Sequence, residues 1–146
     1  MKSGLLFPTP ALKKETLKEH TLHVLESHSK LKERTEGFSD EFWDAAFLMC
    51  LFHDSGKITE NFKKVLNGNF DENVRHEMIS GAFLLFFDKT FVTEKSHFAA
   101  AVYSHHKRLN GDLFDTDQLK ELKIITENIQ QWYQYAQQIA SEKGVR

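Results

Sequence analysis

A chain of 146 residues with 40% hydrophobic and 27% charged residues can bury a core of its own and has an ordinary globular composition. Its formal charge of −2 gives no global electrostatic case for nucleic acid, and its single cysteine, Cys50, excludes an intramolecular disulfide and suits a reducing compartment. With no leader-like or membrane-length apolar run, one soluble cytoplasmic domain over 1–146, with no membrane partner, is expected.

Thirteen Phe against two Pro and seven Gly favour a helical body with bulky packing and few breakers. After Pro8 and Pro10, Leu17, Thr21, Val24, His28 and Leu31 fall at three- and four-residue steps, which predicts a helix over about 12–34. Gly37 interrupts. Ser39 then reads as an N-cap, with Asp40 and Glu41 suiting the positive helix start and Phe38 placed to staple the entry. The helix it opens carries Trp43, Ala46, Phe47 and Cys50 towards His53-Asp54 and stops near Gly56. A short helix over 59–66, capped by Thr59, ends at Asn67-Gly68. Further helices are expected from near Asn73 to Phe87 and from about Thr93 to His106. The last should open at Asp115 and run to about Lys143 on the stripe Leu119, Leu122, Ile125, Ile129, Trp132, Ala136, Ile139. No alternating pattern competes, so the fold is expected to be a compact all-α bundle of about six helices.

The chemistry concentrates in the histidines. His53 and Asp54 offer an imidazole nitrogen and a carboxylate oxygen to one small volume, with Gly56 placed to let the backbone turn away. A carboxylate closing a buried helix is costly unless a metal ion or a cation pairs with it. His76 alone reads as an ordinary helix-start histidine, with the small residues Ser80 and Gly81 one turn on inviting a close neighbour. His105 and His106, followed by Lys107 and Arg108, would repel if protonated. A metal that holds them neutral relieves this, and so does plain exposure at ordinary pH. His20, His23 and His28 can share a face of the first helix. Solvent exposure or a satisfied place in the core suits His23 and His28, and His97 reads as structural or exposed. Cys50 lies in an apolar run and reads as packing.

The order His20, His53-Asp54-Ser55-Gly56-Lys57, His76, Ser104-His105-His106 resembles the HD superfamily of metal-dependent phosphohydrolases over about residues 12–111. More narrowly it is similar to the HD nuclease of type I CRISPR interference. The resemblance implies metal ligation by His20, His53, Asp54, His76, His105 and His106, with Asp54 bridging two ions. Asp54 and Lys57 would act in catalysis, and Lys107 and Arg108 would guide the substrate backbone. It implies single-stranded DNA as substrate and, as partner, the interference helicase, fused or separate, with its RNA-guided surveillance complex. Imidazole-rich ligation favours Mn, Fe, Co or Ni, with Mg possible. HD-GYP phosphodiesterases share the tandem histidines, but the Glu and Gly-Tyr-Pro that follow them there are absent from Lys107-Arg108-Leu109-Asn110-Gly111-Asp112. A phosphohydrolase of nucleotides or cyclic dinucleotides, and an inactive HD binding module, are the alternatives. The family closes its first site with an aspartate on a later helix, whereas none follows Asp117. The chain then stops short of the family's C-terminus, or the first site is incomplete, or Asp112, Asp115 or Asp117 substitutes.

Overall fold

The computed structural model describes residues 15–66, 68, 75–106 and 126–145. Among these it is all-α, with seven α-helices and one 3-10 turn: α1 (Leu17–Arg34), α2 (Asp40–Phe52), the turn Ser55–Lys57, α3 (Glu60–Leu66), α4 (His76–Phe87), α5 (Thr90–Thr93), α6 (Ser96–Ser104) and α7 (Thr126–Glu142). None of the described helices is long and apolar enough to cross a membrane.

The first helix starts five residues later than its periodicity suggests. Thr16 is extended, its side chain accepts from the Glu19 amide at 3.2 Å, and Glu19 Oε2 accepts from the Thr16 amide at 2.8 Å. This reciprocal capping box satisfies two amides that a helix start otherwise leaves open, so the helix begins at Leu17. At α2 the expected cap is present, because Ser39 Oγ accepts from Phe42 N at 3.2 Å. Phe38 stacks on Phe42 at 4.4 Å and meets Trp43 edge-on, which fixes the entry angle.

The core forms around α2, which buries Trp43, Ala45, Ala46, Phe47, Leu48, Leu51 and Phe52 and is therefore surrounded rather than one-sided. It packs on α1, α4 and α6. Trp132 and Ala136 of α7 are fully buried, and Tyr133 reaches the Phe83 carbonyl of α4 at 3.3 Å. The expected opening of α7 at Asp115 and its residues Leu119, Leu122 and Ile125 lie outside the described residues.

Three boundaries differ from expectation. Gly56 does not mark the end of α2 by turning; its φ is not positive, and α2 gives way at His53 to the 3-10 turn. Helix α4 begins at His76 rather than near Asn73, because Arg75 is extended. The helix expected over 93–106 is α6, starting at Ser96, and a separate single-turn helix precedes it. Asp88 Oδ1 accepts from Thr90 N and Thr90 Oγ1 at 2.9 and 2.8 Å, which starts a single-turn helix early; the chain then turns at Glu94-Lys95 before α6.

Candidate metal centre

The 3-10 turn is pressed against α4 with no room for a side chain. A Cβ at Gly56 would lie 2.0 Å from the His76 carbonyl oxygen and 2.8 Å from Ser80 N. Gly56 N donates to Ser80 Oγ at 2.8 Å, so the glycine and the serine lock the turn to the first turns of α4. On the far side Gly81 lies under the Tyr103 ring of α6. These two small residues bring the ends of α2, α4 and α6 together. His53-Asp54, His76 and His105-His106 stand at those ends, and His20 approaches from α1.

Asp54 is the floor of the cluster, with its side chain 3% exposed. His20 Nε2 and His53 Nε2 lie 3.4 and 3.5 Å from its Oδ2, and His76 Nε2 and His105 Nε2 lie 3.2 and 3.3 Å from its Oδ1. The His106 ring stands 4.1 Å from that of His105 and 5.0 Å from that of His76. Two groups that could hold an ion result, Asp54–His76–His105–His106 and His20–His53–Asp54, each with its donor atoms within 4.8 Å of one another. They share Asp54. The structure thus brings together all six residues that the resemblance implies as ligands.

The tautomers show what this arrangement suits. His53 Nδ1 lies 2.7 Å from the Cys50 carbonyl oxygen, and His105 Nδ1 lies 2.7 Å from that of Val102. A carbonyl only accepts, so both Nδ1 atoms carry hydrogen, and in the neutral ring Nε2 presents a lone pair. His20 Nδ1 lies 3.0 Å from Glu15 Oε2, which gives the same result. The lone pairs of His20 and His53 then face each other at 3.3 Å and both face Asp54. His76 Nε2 is buried without a hydrogen-bond partner. Lone pairs converging on a carboxylate need a positive charge between them. The donor set of imidazole nitrogens and one carboxylate, backed by carbonyls and carboxylates, fits a divalent ion.

Lys57 supplies positive charge from below. Its ammonium donates to Asp54 Oδ2 at 2.6 Å, and its side chain is 8% exposed. Burial works to raise the Asp54 carboxyl, but contacts from His105 and His76, the charge of Lys57 and, in acid where it is protonated, that of His53 outweigh it and hold it well below the usual carboxylate range. Burial pushes the His53 imidazole down to about 4, against the pull of Asp54, so that ring is neutral near pH 7. For His105 burial again works downward, yet in the protonated ring the contacts of Nε2 with Asp54 and of Nδ1 with the Val102 carbonyl win and raise it, so its Nε2 faces Asp54 with a lone pair only once that proton is displaced. Burial and the charge of His105 lower His106.

The other candidates fall elsewhere. Lys107, Arg108, Asp112, Asp115 and Asp117 lie outside the described residues. His23 is exposed and its Nδ1 meets Glu15 Oε1 at 2.5 Å. His28 Nε2 donates to the Trp43 carbonyl at 3.1 Å, away from the cluster, and His97 is exposed. Burial pushes the Cys50 thiol up to about 11, which suits packing rather than reactivity.

Two carboxylates that the motif order does not mark back the histidines. Glu15 meets His20, and Glu77, buried and held by Arg75 Nε at 2.8 Å, places Oε2 3.6 Å from His76 Nδ1. The Thr16…Glu19 capping-box pattern was the available signal for Glu15, since it sets the helix start after that residue. Nothing in sequence marks Glu77 beyond its adjacency to His76.

An all-α bundle that gathers histidines from four segments around one buried aspartate defines a class: helical domains built to hold divalent metal. Within that class the chain belongs to the HD domain family, whose pattern matches residues 17–142. The family is one of metal-dependent phosphohydrolases, and the His/Asp groups here are compatible with metal binding. Neither the curated proteins nor the solved structures give a match.

Proposed function

We propose that this HD domain is a metal-dependent phosphodiesterase and, more narrowly, a nuclease that cleaves single-stranded DNA in CRISPR interference. The sharing of Asp54 by two ligand groups supports the hydrolase reading. The DNA substrate rests on the resemblance of the five-part motif, Lys57 included. His20, His53 and Asp54 would hold one ion, and Asp54, His76, His105 and His106 a second. Such ions supply Lewis-acid polarisation of a phosphoryl group and a nucleophile at neutral pH.

The chain's own residues divide the remaining work. Asp54 carries the charge common to both groups and sits beneath the imidazoles: those of His20, His53, His76 and His105 are 15–22% exposed, and His106 is exposed, so they form an open rim. A phosphodiester within a polymer can therefore approach from the solvent side. Lys57, bonded to Asp54, is assigned from the motif resemblance to a non-bridging oxygen or the leaving group. Lys107 and Arg108 are proposed to guide the backbone, and the interference helicase with its surveillance complex to deliver the strand.

The test incubates purified protein with Mn, Co or Ni on circular single-stranded DNA and on a panel of nucleotides and cyclic dinucleotides. Cleavage of the circle, lost with chelator and in Asp54→Asn, is expected. Turnover of nucleotides with intact DNA would move the reading to a nucleotide phosphohydrolase. Fewer than one ion per chain after metal loading would leave a binding module.

A further inference from the structure

We infer that Glu15 is the positioning residue of the His20–His53–Asp54 group, fixing the His20 ring so that its Nε2 faces Asp54. The inference rests on reading that group as a metal site. A histidine ligates through Nε2 only if the hydrogen sits on Nδ1, and something must accept that hydrogen. For His53 and His105 the acceptor is a main-chain carbonyl freed by a helix end, Cys50 and Val102 respectively. His20 has no such neighbour. It lies within the first turns of α1, where the Thr16 carbonyl already accepts from the His20 amide at 2.9 Å.

A side chain supplies the acceptor instead. Glu19, next to His20 in sequence, is engaged by the Thr16 amide in the capping box. That box also sets the start of the helix at Leu17 and leaves Glu15 outside it, free to fold back over the first turns. Glu15 gives Oε2 to His20 Nδ1 at 3.0 Å and Oε1 to His23 Nδ1 at 2.5 Å, and its side chain is 10% exposed. His23 thus anchors the carboxylate from the solvent side, and the carboxylate in turn orients His20. Glu15 faces the back of the ring, so it is not itself a ligand. Its negative charge makes Nε2 a stronger donor than a carbonyl partner would.

Two variants test this, Glu15→Leu, which has no acceptor, and Glu15→Gln, which keeps an uncharged one. Proton–nitrogen spectra of the histidine rings in metal-free protein should show His20 hydrogen on Nδ1 in the wild type and shifted towards Nε2 in Glu15→Leu. Cobalt titration followed by visible absorption should resolve two binding events. The event assigned to His20 should weaken ~10–100-fold in Glu15→Leu and less in Glu15→Gln, while the His76–His105–His106 event stays put. Unchanged affinity and an unchanged His20 tautomer would overturn the inference alone. Equal weakening of both events would also overturn it, because the effect would then be general loss of structure. A wild-type chain that takes up no cobalt would overturn the reading of the site along with it, and the ring spectra, which need no ion, tell these failures apart.

Discussion

Asp54 and Lys57 form a buried pair three residues apart, and each is the other's closest opposite charge. Breaking such a pair from one side leaves an uncompensated charge in the interior, which costs about 3–5 kcal/mol, while removing both is far milder. In chelator, Lys57→Met should therefore lose about 3 kcal/mol in urea unfolding, and the loss should shrink when Asp54→Asn is added. Additive losses would mean that the imidazoles, rather than Lys57, hold Asp54 in place. His28 makes a different prediction. It sits edge-on to Trp43 and Phe47, burial lowers its pKa from 6.5, and the hydrogen bond to the Trp43 carbonyl opposes this only in part. The folded state thus prefers the neutral ring, and the unfolded chain binds the extra proton. That contribution to stability is complete above pH 6.5 and lost as pH falls through the lower folded value. Between pH 7 and 5 the wild type should lose more unfolding free energy than His28→Gln, and parallel profiles would count against a burial-driven shift.

At the level of elements, contact between the 3-10 turn and α4 decides whether the ligands meet. A methyl group at Gly56 strikes main-chain atoms of His76 and Ser80, which cannot swing aside, whereas one at Gly81 strikes the Tyr103 ring, which can. Overpacking costs typically about 1–3 kcal/mol and more where backbone must move. Gly56→Ala should lower the urea midpoint well beyond Gly81→Ala and weaken cobalt uptake; equal effects would mean that the turn has slack. The contrast shows what was legible beforehand. Helices α2 and α3 could be read because Ser39 and Thr59 announce their starts, and the His53-Asp54, His76 and His105-His106 positions could be read from motif order. The single-turn α5 could not, since its start depends on Asp88 holding Thr90 rather than on apolar spacing. Gly56 was legible as a glycine needed there but not for the right reason, because close approach to α4 depends on a partner 24 residues away. Glu15 was hidden because a periodicity running past Thr16 absorbed it into the helix.

Across the whole molecule the ligand groups join segments that are far apart in sequence. His20 belongs to α1, His53 and Asp54 to the end of α2, His76 to the start of α4, and His105 and His106 to the end of α6. These segments already share one core around α2, but the cluster joins them at the opposite end from Phe38 and Trp43. Without an ion, the convergent lone pairs there oppose the packing that gathers them. An ion held there would remove that opposition and would be bound only by the assembled chain, so its binding free energy would add to folding free energy. At a free concentration 100 times the dissociation constant, one site contributes about 2.7 kcal/mol. For a domain of this size that corresponds to a rise in Tm of roughly 6–10 °C. Thermal unfolding with increasing Mn, Co or Ni should shift upward in proportion to the logarithm of ion concentration beyond saturation, and the shift should vanish in Asp54→Asn, which removes the ligand common to both groups. His28→Gln, remote from the cluster, should keep the full shift. A wild-type Tm that does not move with any of these ions, or an Asp54→Asn chain that shifts as far as the wild type, would mean that the six residues converge for packing alone.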